Sequence, residues 1–266
     1  MKIAIIGTGN LGKSIAKGLI TSNAITTLYL TKRNLDALVE FKGYNNVTLT
    51  SDNAEAVKQS DIIIFAVQPA HFQSILNDVK SLLSQNHVLI STITGFSIPK
   101  METIVGQDQF IIRAMPNTAI AVGKSMTCIC SNEKGKDRIK IAEAIFNRLG
   151  TSISIPEGQM QAATVVCASG IAFWMRLIRA TTQAAIQLGF EANEAQELAM
   201  HTCEGAANLL ITTGNHPEQE IDKVTTPKGC TIEGLNEMEH KGLSSSLIQG
   251  MVTSFNKINT IKTEQL

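Results

Sequence analysis

The sequence lacks the features that mark several functional classes. Its 266 residues carry 23 Lys+Arg against 23 Asp+Glu, so no global charge would draw the chain to nucleic acid or to an anionic membrane surface. Cysteine is scarce and odd in number, and no C-x-x-C spacing occurs among Cys128, Cys130, Cys167, Cys203 and Cys230. Cys128 and Cys130 lie two apart in a strand-like run, share one face, and read as small buried hydrophobes rather than zinc ligands. Free thiols of this kind point to a reducing cytoplasm. His71, His87, His201, His216 and His240 are scattered, so neither a metal site nor a catalytic triad is expected. The longest apolar stretch, Ala162–Met175, is broken by Thr164, Ser169 and Gly170. It falls short of the roughly 18 apolar residues of a spanning helix and reads as a core or interface helix. The opening Met1-Lys2-Ile3-Ala4-Ile5-Ile6 has no signal-peptide layout, and the expected location is cytoplasmic.

What is present falls into two halves. In the first, apolar strand candidates (Lys2–Ile6, Thr26–Leu30, Asp61–Val67, His87–Thr92, Phe110–Arg113) alternate with helical segments near residues 11–21, 35–41, 53–58, 70–83 and 99–105. That alternation predicts parallel βαβ units in a doubly wound, mostly parallel sheet of the α/β class. Val122–Cys130 has no helix before it and is expected to form a hairpin or to reverse direction at the sheet edge. A helix over 136–149 and a strand over 152–155 follow, and Pro156-Glu157-Gly158 punctuates the chain. Beyond that point the sequence predicts only helices, over 159–188, 192–212, 231–239 and 245–261. The expected domains are therefore 1–156, a Rossmann-type nucleotide-binding domain, and 157–266, an all-α domain. Trp174 is expected in an intersubunit core, and Met200, Met238 and Met251 as core fillers.

Gly7-Thr8-Gly9-Asn10-Leu11-Gly12 reads G-x-G-x-x-G, directly after a buried strand and at the start of a helix. In that context Gly7 permits the tight turn, Gly9 lets a pyrophosphate approach the backbone, and Gly12 lets helix and strand pack closely. The helix start offers free N–H groups and a positive dipole end to phosphate. The second strand ends in Thr31-Lys32-Arg33-Asn34, without the acidic residue that bonds the ribose 2′-hydroxyl of NAD. Lys32 and Arg33 suit a 2′-phosphate, so NADP is expected over NAD. The turns Ala66-Val67-Gln68-Pro69, Ile93-Thr94-Gly95 and Arg113-Ala114-Met115-Pro116-Asn117-Thr118 end further strands on the same side and suit a nicotinamide channel.

These motifs, in this order, resemble pyrroline-5-carboxylate reductases along nearly the whole chain. Ala168-Ser169-Gly170-Ile171-Ala172-Phe173 is similar to part of the family's S-G-S-G-P-A-Y region. Val224-Thr225-Thr226-Pro227-Lys228-Gly229-Cys230-Thr231 resembles its V-T-S-P-G-G-x-T signature. The resemblance implies an NADPH-dependent oxidoreductase acting on a C=N bond, reducing 1-pyrroline-5-carboxylate to L-proline in amino-acid biosynthesis. It also implies dimers, or assemblies of dimers, formed through the helical domain. By resemblance the cofactor residues are Gly7–Gly12, Lys32, Arg33, Asn53, Ala66, Val67, Gln68 and Pro69; the strand-tip reading adds Thr94, Gly95 and Asn117. The chain departs from the family pattern at Gln68 (family Lys), Cys167 and Ala168 (Ser-Gly), Ile171 (Pro), Phe173 (Tyr) and Lys228 (Gly).

Thr226–Thr231 reads as a turn into a helix. Amides of Gly229, Cys230 and Thr231, unpaired at the helix start, could grip a substrate carboxylate. The Thr231 hydroxyl could cap the helix or bond the substrate nitrogen, and the resemblance favours the second, with Ser169 a further substrate contact. Two alternatives accompany this reading: a reductase of a related cyclic imino acid, and a non-catalytic nucleotide-binding paralogue.

Overall fold

Short apolar strands, buried continuously with side chains alternating between two faces, build the sheet. The computed structural model describes residues 1–22 and 25–264. Within them, β1 (Lys2–Ile6), β2 (Thr27–Thr31), β3 (Val47–Thr50), β4 (Ile62–Phe65), β5 (Val88–Ser91), β6 (Phe110–Met115), β7 (Ser125–Ser131) and β8 (Gly150–Ser154) form one eight-stranded sheet ordered β3-β2-β1-β4-β5-β6-β7-β8. Ile3, Ile5, Leu28, Leu30, Ile62, Ile64, Val88 and Ile90 point to one face, against Ile15, Ala16 and Leu19 of the helix Asn10–Thr21. Ala4, Ile6, Ile63, Phe65 and Leu89 point to the other, against Phe72 and Leu76 of the helix Pro69–Val79. Both faces are covered, as parallel sheets require.

All neighbouring strands run parallel except β6 and β7. The reversal expected over Val122–Cys130 is therefore real, but it does not lie at the edge, because β8 pairs outside β7. Nor does the strand begin at Val122: residues Thr118–Val122 form a 3-10 turn, and left-handed Gly123 delays the strand to Ser125. Two elements escaped the sequence reading. β3 is four residues long and half exposed, with two threonines, so it shows little apolar run. The helix Pro217–Val224 begins at a proline that read as an end; Pro217 occupies the first turn, and His216 with Gln219 forms a capping box.

Continuous helix runs over Glu157–Gln187, with a π-helical segment at Thr164–Ser169. Its first turns bury Met160, Ala163 and Val165, and Met160 and Ala163 join Cys128 and Cys130 of β7 in the core of the second sheet face. The chain forms two compact units: Met1–Ser169 together with the segment from Phe255 onward, and Gly170–Ser254. The all-helical structure begins at Glu157, but the compact division falls after Ser169, inside the long helix, because its first turns belong to the core of the sheet.

In the second unit the helix Ala192–Thr213 packs along Gly170–Gln187, and the helices Pro217–Val224 and Cys230–His240 follow. The last helix, Leu243–Glu264, starts in this unit. This unit buries few side chains: Thr182, Ala195, Ala199 and Glu220 are covered, whereas Trp174, Met175, Leu188, Phe190, Met200, Met238 and Ile248 are exposed. Met200 and Met238 are thus not core fillers of the single chain. The segment Glu157–Gln187 is also long and apolar enough to cross a membrane by length and composition, with 17% of its most apolar window buried. The count made on Ala162–Met175 alone missed this, because the helix is continuous on both sides of that stretch.

Asn132, just beyond β7, ties the sheet to its flank. Its Oδ1 accepts from the N–H groups of Ile111 (3.2 Å) and Gly135 (2.7 Å), and its Nδ2 donates to Glu102 Oε1 (3.0 Å) and the Gln109 carbonyl (3.1 Å). Asn132→Ala leaves two buried donors without acceptors. Urea unfolding should show a loss of about 3 kcal/mol; a change under about 0.5 kcal/mol would mean this bracket is dispensable.

Candidate active site

The strand order reverses between β1 and β4, and the carboxyl ends of β1, β2, β3 and β4 surround a cleft of about 600 Å³. Its floor is the glycine turn. Gly7 has φ +88°, and a Cβ there would fall 2.2 Å from Val67 Cγ1. Gly12 faces the same constraint, since its Cβ would meet the Gly7 carbonyl at 2.9 Å. Gly9 is different: nothing lies within 4 Å of the place a Cβ would take. It is the N-cap of Asn10–Thr21, and no side chain caps that helix. The turn therefore presents open backbone at a helix start to the cleft, which is what an incoming phosphate needs.

The tip of β2 holds the turn in place. The Thr8 N–H donates to the Thr31 carbonyl (2.8 Å), the Gly7 N–H to Thr31 Oγ1 (3.2 Å), and Lys32 Nζ to the Thr8 carbonyl (2.9 Å). The buried Thr8 hydroxyl has no partner among the described residues. Lys32 is thus already engaged, and Arg33, exposed on the cleft wall, is the cation available to a ligand. Asn53 also lines the cleft, in the first turn of the helix Asn53–Lys58 capped by Asp52. Ala66, Val67 and the exposed Gln68 complete the wall, while Pro69 starts the next helix behind them.

Of the residues read from the sequence, Gly7, Thr8, Gly9, Lys32, Arg33, Asn53, Ala66, Val67 and Gln68 converge on this cleft. Asn10, Leu11 and Gly12 lie in the helix behind it, with Leu11 packed on the core. The sequence reading passed over Asn34, Ser51, His71, Ser74 and Ile75, which also line it. His71 and Ser74 are three apart on the helix after β4, so both face the same side; that spacing was the signal available.

Thr94 and Gly95 border a second cavity of about 250 Å³, with Ser97, Arg113, Glu157 and Thr164. Arg113, 7% exposed, donates to Glu157 Oε1 at 3.0 Å and to the Ile93 carbonyl at 3.4 Å. Glu157 also receives the Ile98 N–H at 2.7 Å. Asn117 lines neither space. Its Oδ1 accepts from the Ala119 N–H and its Nδ2 donates to the Cys167 carbonyl at 3.0 Å. Ser169 ends the π-helical segment, half-buried.

In the helical unit, Thr226–Thr231 forms the expected turn into a helix, Cys230–His240, with Gly229 as N-cap. One expectation is corrected. The Gly229 amide is not unpaired but donates to the Thr226 carbonyl at 2.9 Å, closing the turn. The Thr231 hydroxyl does not cap the helix, because no side chain does. Lys228 has φ +58°, the one left-handed non-glycine residue among those described. This explains a glycine at that point in the family signature, and a lysine there carries about 1 kcal/mol of backbone strain.

Comparisons with known proteins match both halves. A family model described as "Pyrroline-5-carboxylate reductase dimerisation" matches residues 157–261, and one described as "NADP oxidoreductase coenzyme F420-dependent" matches residues 2–95. Pyrroline-5-carboxylate reductase 2 of Dictyostelium discoideum is 40% identical over 96% of this chain and 91% of its own length. Pyrroline-5-carboxylate reductase 1 of the same organism is 43% identical over 99% of this chain but 50% of its own length, so this chain spans half of that relative. Among solved structures, the Coxiella burnetii pyrroline-5-carboxylate reductase superposes with a TM-score of 0.89 at 30% identity, covering 97% of both chains. The Plasmodium falciparum pyrroline carboxylate reductase with NADP bound gives 0.88 at 26% identity, covering 98% of both. A mostly parallel Rossmann-type sheet, a helical segment matched as a dimerisation domain, and this identity over nearly the whole chain place it in the pyrroline-5-carboxylate reductase family.

Proposed function

We propose that this protein reduces 1-pyrroline-5-carboxylate to L-proline with NADPH, as a homodimer or an assembly of dimers built through its helical half. The observation that carries the reading is the convergence of the open glycine turn, Arg33, Asn53 and Ala66–Gln68 on one cleft, in a family whose members bear that name. The open space at Gly9 and the uncapped helix start fit a pyrophosphate. Arg33 suits a 2′-phosphate, while Lys32 keeps the turn in shape through Thr8. Thr94, Gly95 and Asn117 belong to the nicotinamide end, the last two by shaping backbone.

When bound, NADPH supplies the hydride. The chain supplies grip and a proton's place. Amides of Cys230 and Thr231 hold the substrate carboxylate at a helix start, where the dipole favours an anion. The Thr231 hydroxyl holds the ring nitrogen, whose protonated form is the better acceptor, and Ser169 is a further substrate contact. Assembly follows from the uncovered apolar helices of the second unit. Trp174 and Met175 stand more than half exposed on the single chain, which a partner would cover.

NADPH consumption, followed by absorbance against a panel of cyclic imines, tests the activity. Turnover should be fastest with 1-pyrroline-5-carboxylate. Preference for another ring would assign a sister reductase, as the departures at Ile171, Phe173 and Lys228 would allow, and tight NADPH binding with no turnover would assign a non-catalytic paralogue. Arg33→Ala should raise KM for NADPH about tenfold and leave KM for NADH unchanged; an equal effect on both would remove the 2′-phosphate role. Thr231→Ala should lower kcat about 100-fold with cofactor affinity intact, and unaltered turnover would end its assigned part. In sedimentation the protein should run at twice its 28.7 kDa chain mass or a multiple of it, with Trp174→Glu shifting it toward single chains. A wild-type monomer at micromolar concentration would contradict the assembly.

A further inference from the structure

Cys128 and Cys167 do not line the cleft, and the reaction proposed above leaves them unused. Cys128 lies in β7, on the sheet face that receives the long helix, and Cys167 lies in the π-helical segment Thr164–Ser169. Their sulfurs are 3.7 Å apart although the residues are 39 positions apart in sequence. The two thiols are already in contact, and a disulfide of about 2.05 Å needs a closure of less than about 2 Å. Cys167 sits in a π-helical segment, a form that occurs mostly as short interruptions of α-helices at functional sites.

The pair is also asymmetric. Cys128 is buried behind the helix, while Cys167 is half-buried and keeps part of its surface exposed. The two sulfurs share a hydrogen bond in which either can donate, and that bond holds the Cys167 thiol down at about 7. The same hydrogen bond, with burial, pushes Cys128 well above the ordinary thiol range. A reachable thiolate with a second sulfur behind it is the arrangement of an attacking and a resolving cysteine. Cys130, two residues along β7, is buried and raised to about 11. No other cysteine pair among the described residues is in sulfur contact.

We propose that Cys128 and Cys167 form an oxidation site that closes to a reversible intramolecular disulfide on meeting a hydroperoxide. In the first step the Cys167 thiolate attacks a peroxide oxygen. The O–O bond breaks, leaving Cys167 as a sulfenic acid and a hydroxide that is protonated to water. In the second step the Cys128 sulfur attacks the Cys167 sulfur. The S–O bond breaks, the S–S bond forms, and the departing hydroxide takes the Cys128 proton as a second water. Two thiols and one hydrogen peroxide thus give one disulfide and two waters; the sulfurs lose two electrons and the peroxide oxygens gain them. The bond would tether β7 to the helix at the residue whose carbonyl receives Asn117, two positions before Ser169.

Hydrogen peroxide treatment of the full chain, followed by alkylation and digestion without reductant, tests this by mass spectrometry. The expected product is a Cys128–Cys167 linked peptide pair that dithiothreitol separates. Cys128→Ser should leave Cys167 as a sulfenic acid captured by dimedone, and Cys167→Ser should leave Cys128 as a free thiol. Recovery of both as free thiols from wild-type protein, under conditions that oxidise the exposed Cys230, would overturn the proposal. So would a bond from either to another cysteine. None of these readouts depends on which substrate the enzyme takes.

Discussion

The close approach of β1 and β4 at their carboxyl ends governs the architecture of the site. Gly7 lies so near Val67 that a single methyl group would overlap it, and Gly12 lies nearly as close to the Gly7 carbonyl. Those two contacts draw the helix start down onto the sheet and leave Gly9 facing open space. The cleft is what remains once the backbone has been pulled together on either side of it. Thr31 and Lys32 then fix the turn from the β2 side, through three hydrogen bonds to residues 7 and 8. A rigid turn of this kind meets a ligand with its donors already aimed, so little ordering remains when binding occurs.

The two halves of the chain solve burial differently. The sheet is covered by its own helices on both faces, and its inner strands bury their apolar side chains, with Ile153 of the edge strand β8 exposed. The helical unit buries little of itself and leaves a row of large apolar side chains uncovered. A unit of that size and surface is stable only when more apolar area is removed from water than its own fold removes. Matching of residues 157–261 to a dimerisation domain supplies the source of that area. The same argument accounts for a helix that meets the length and composition of a membrane span.

Much of this was legible in the sequence, for identifiable reasons. β1 matched its expected bounds because four consecutive apolar residues, Ile3–Ile6, are buried directly after Lys2. The glycine turn was legible because Gly7 and Gly12 each meet backbone or side chain too closely for a Cβ, and Gly9 between them leaves the turn open. β3 was not, since its place depends on pairing with β2 rather than on its own side chains. The helix Pro217–Val224 was hidden because proline both ends and begins helices, and only the His216–Gln219 exchange distinguishes the two. At the site, residues read by motif largely line the cleft, whereas His71 and Ser74 reach it through helix geometry, which no motif records. The Gly229 amide was misread as unpaired because a turn closure back to Thr226 is a three-dimensional fact.

The chain leaves the sheet unit at Ser169 and returns to it at Phe255, so the helical unit is an excursion rather than an appendage. A gene fragment ending at Pro156, where the strands stop, would strip away Met160, Ala163 and Val165 and leave the β7 face bare to water. It would also lose the closing segment with Ile258, which borders the cavity beside Arg113. Anyone seeking the nucleotide-binding half as a separate soluble piece should keep the first turns of the long helix and supply the returning strip in trans.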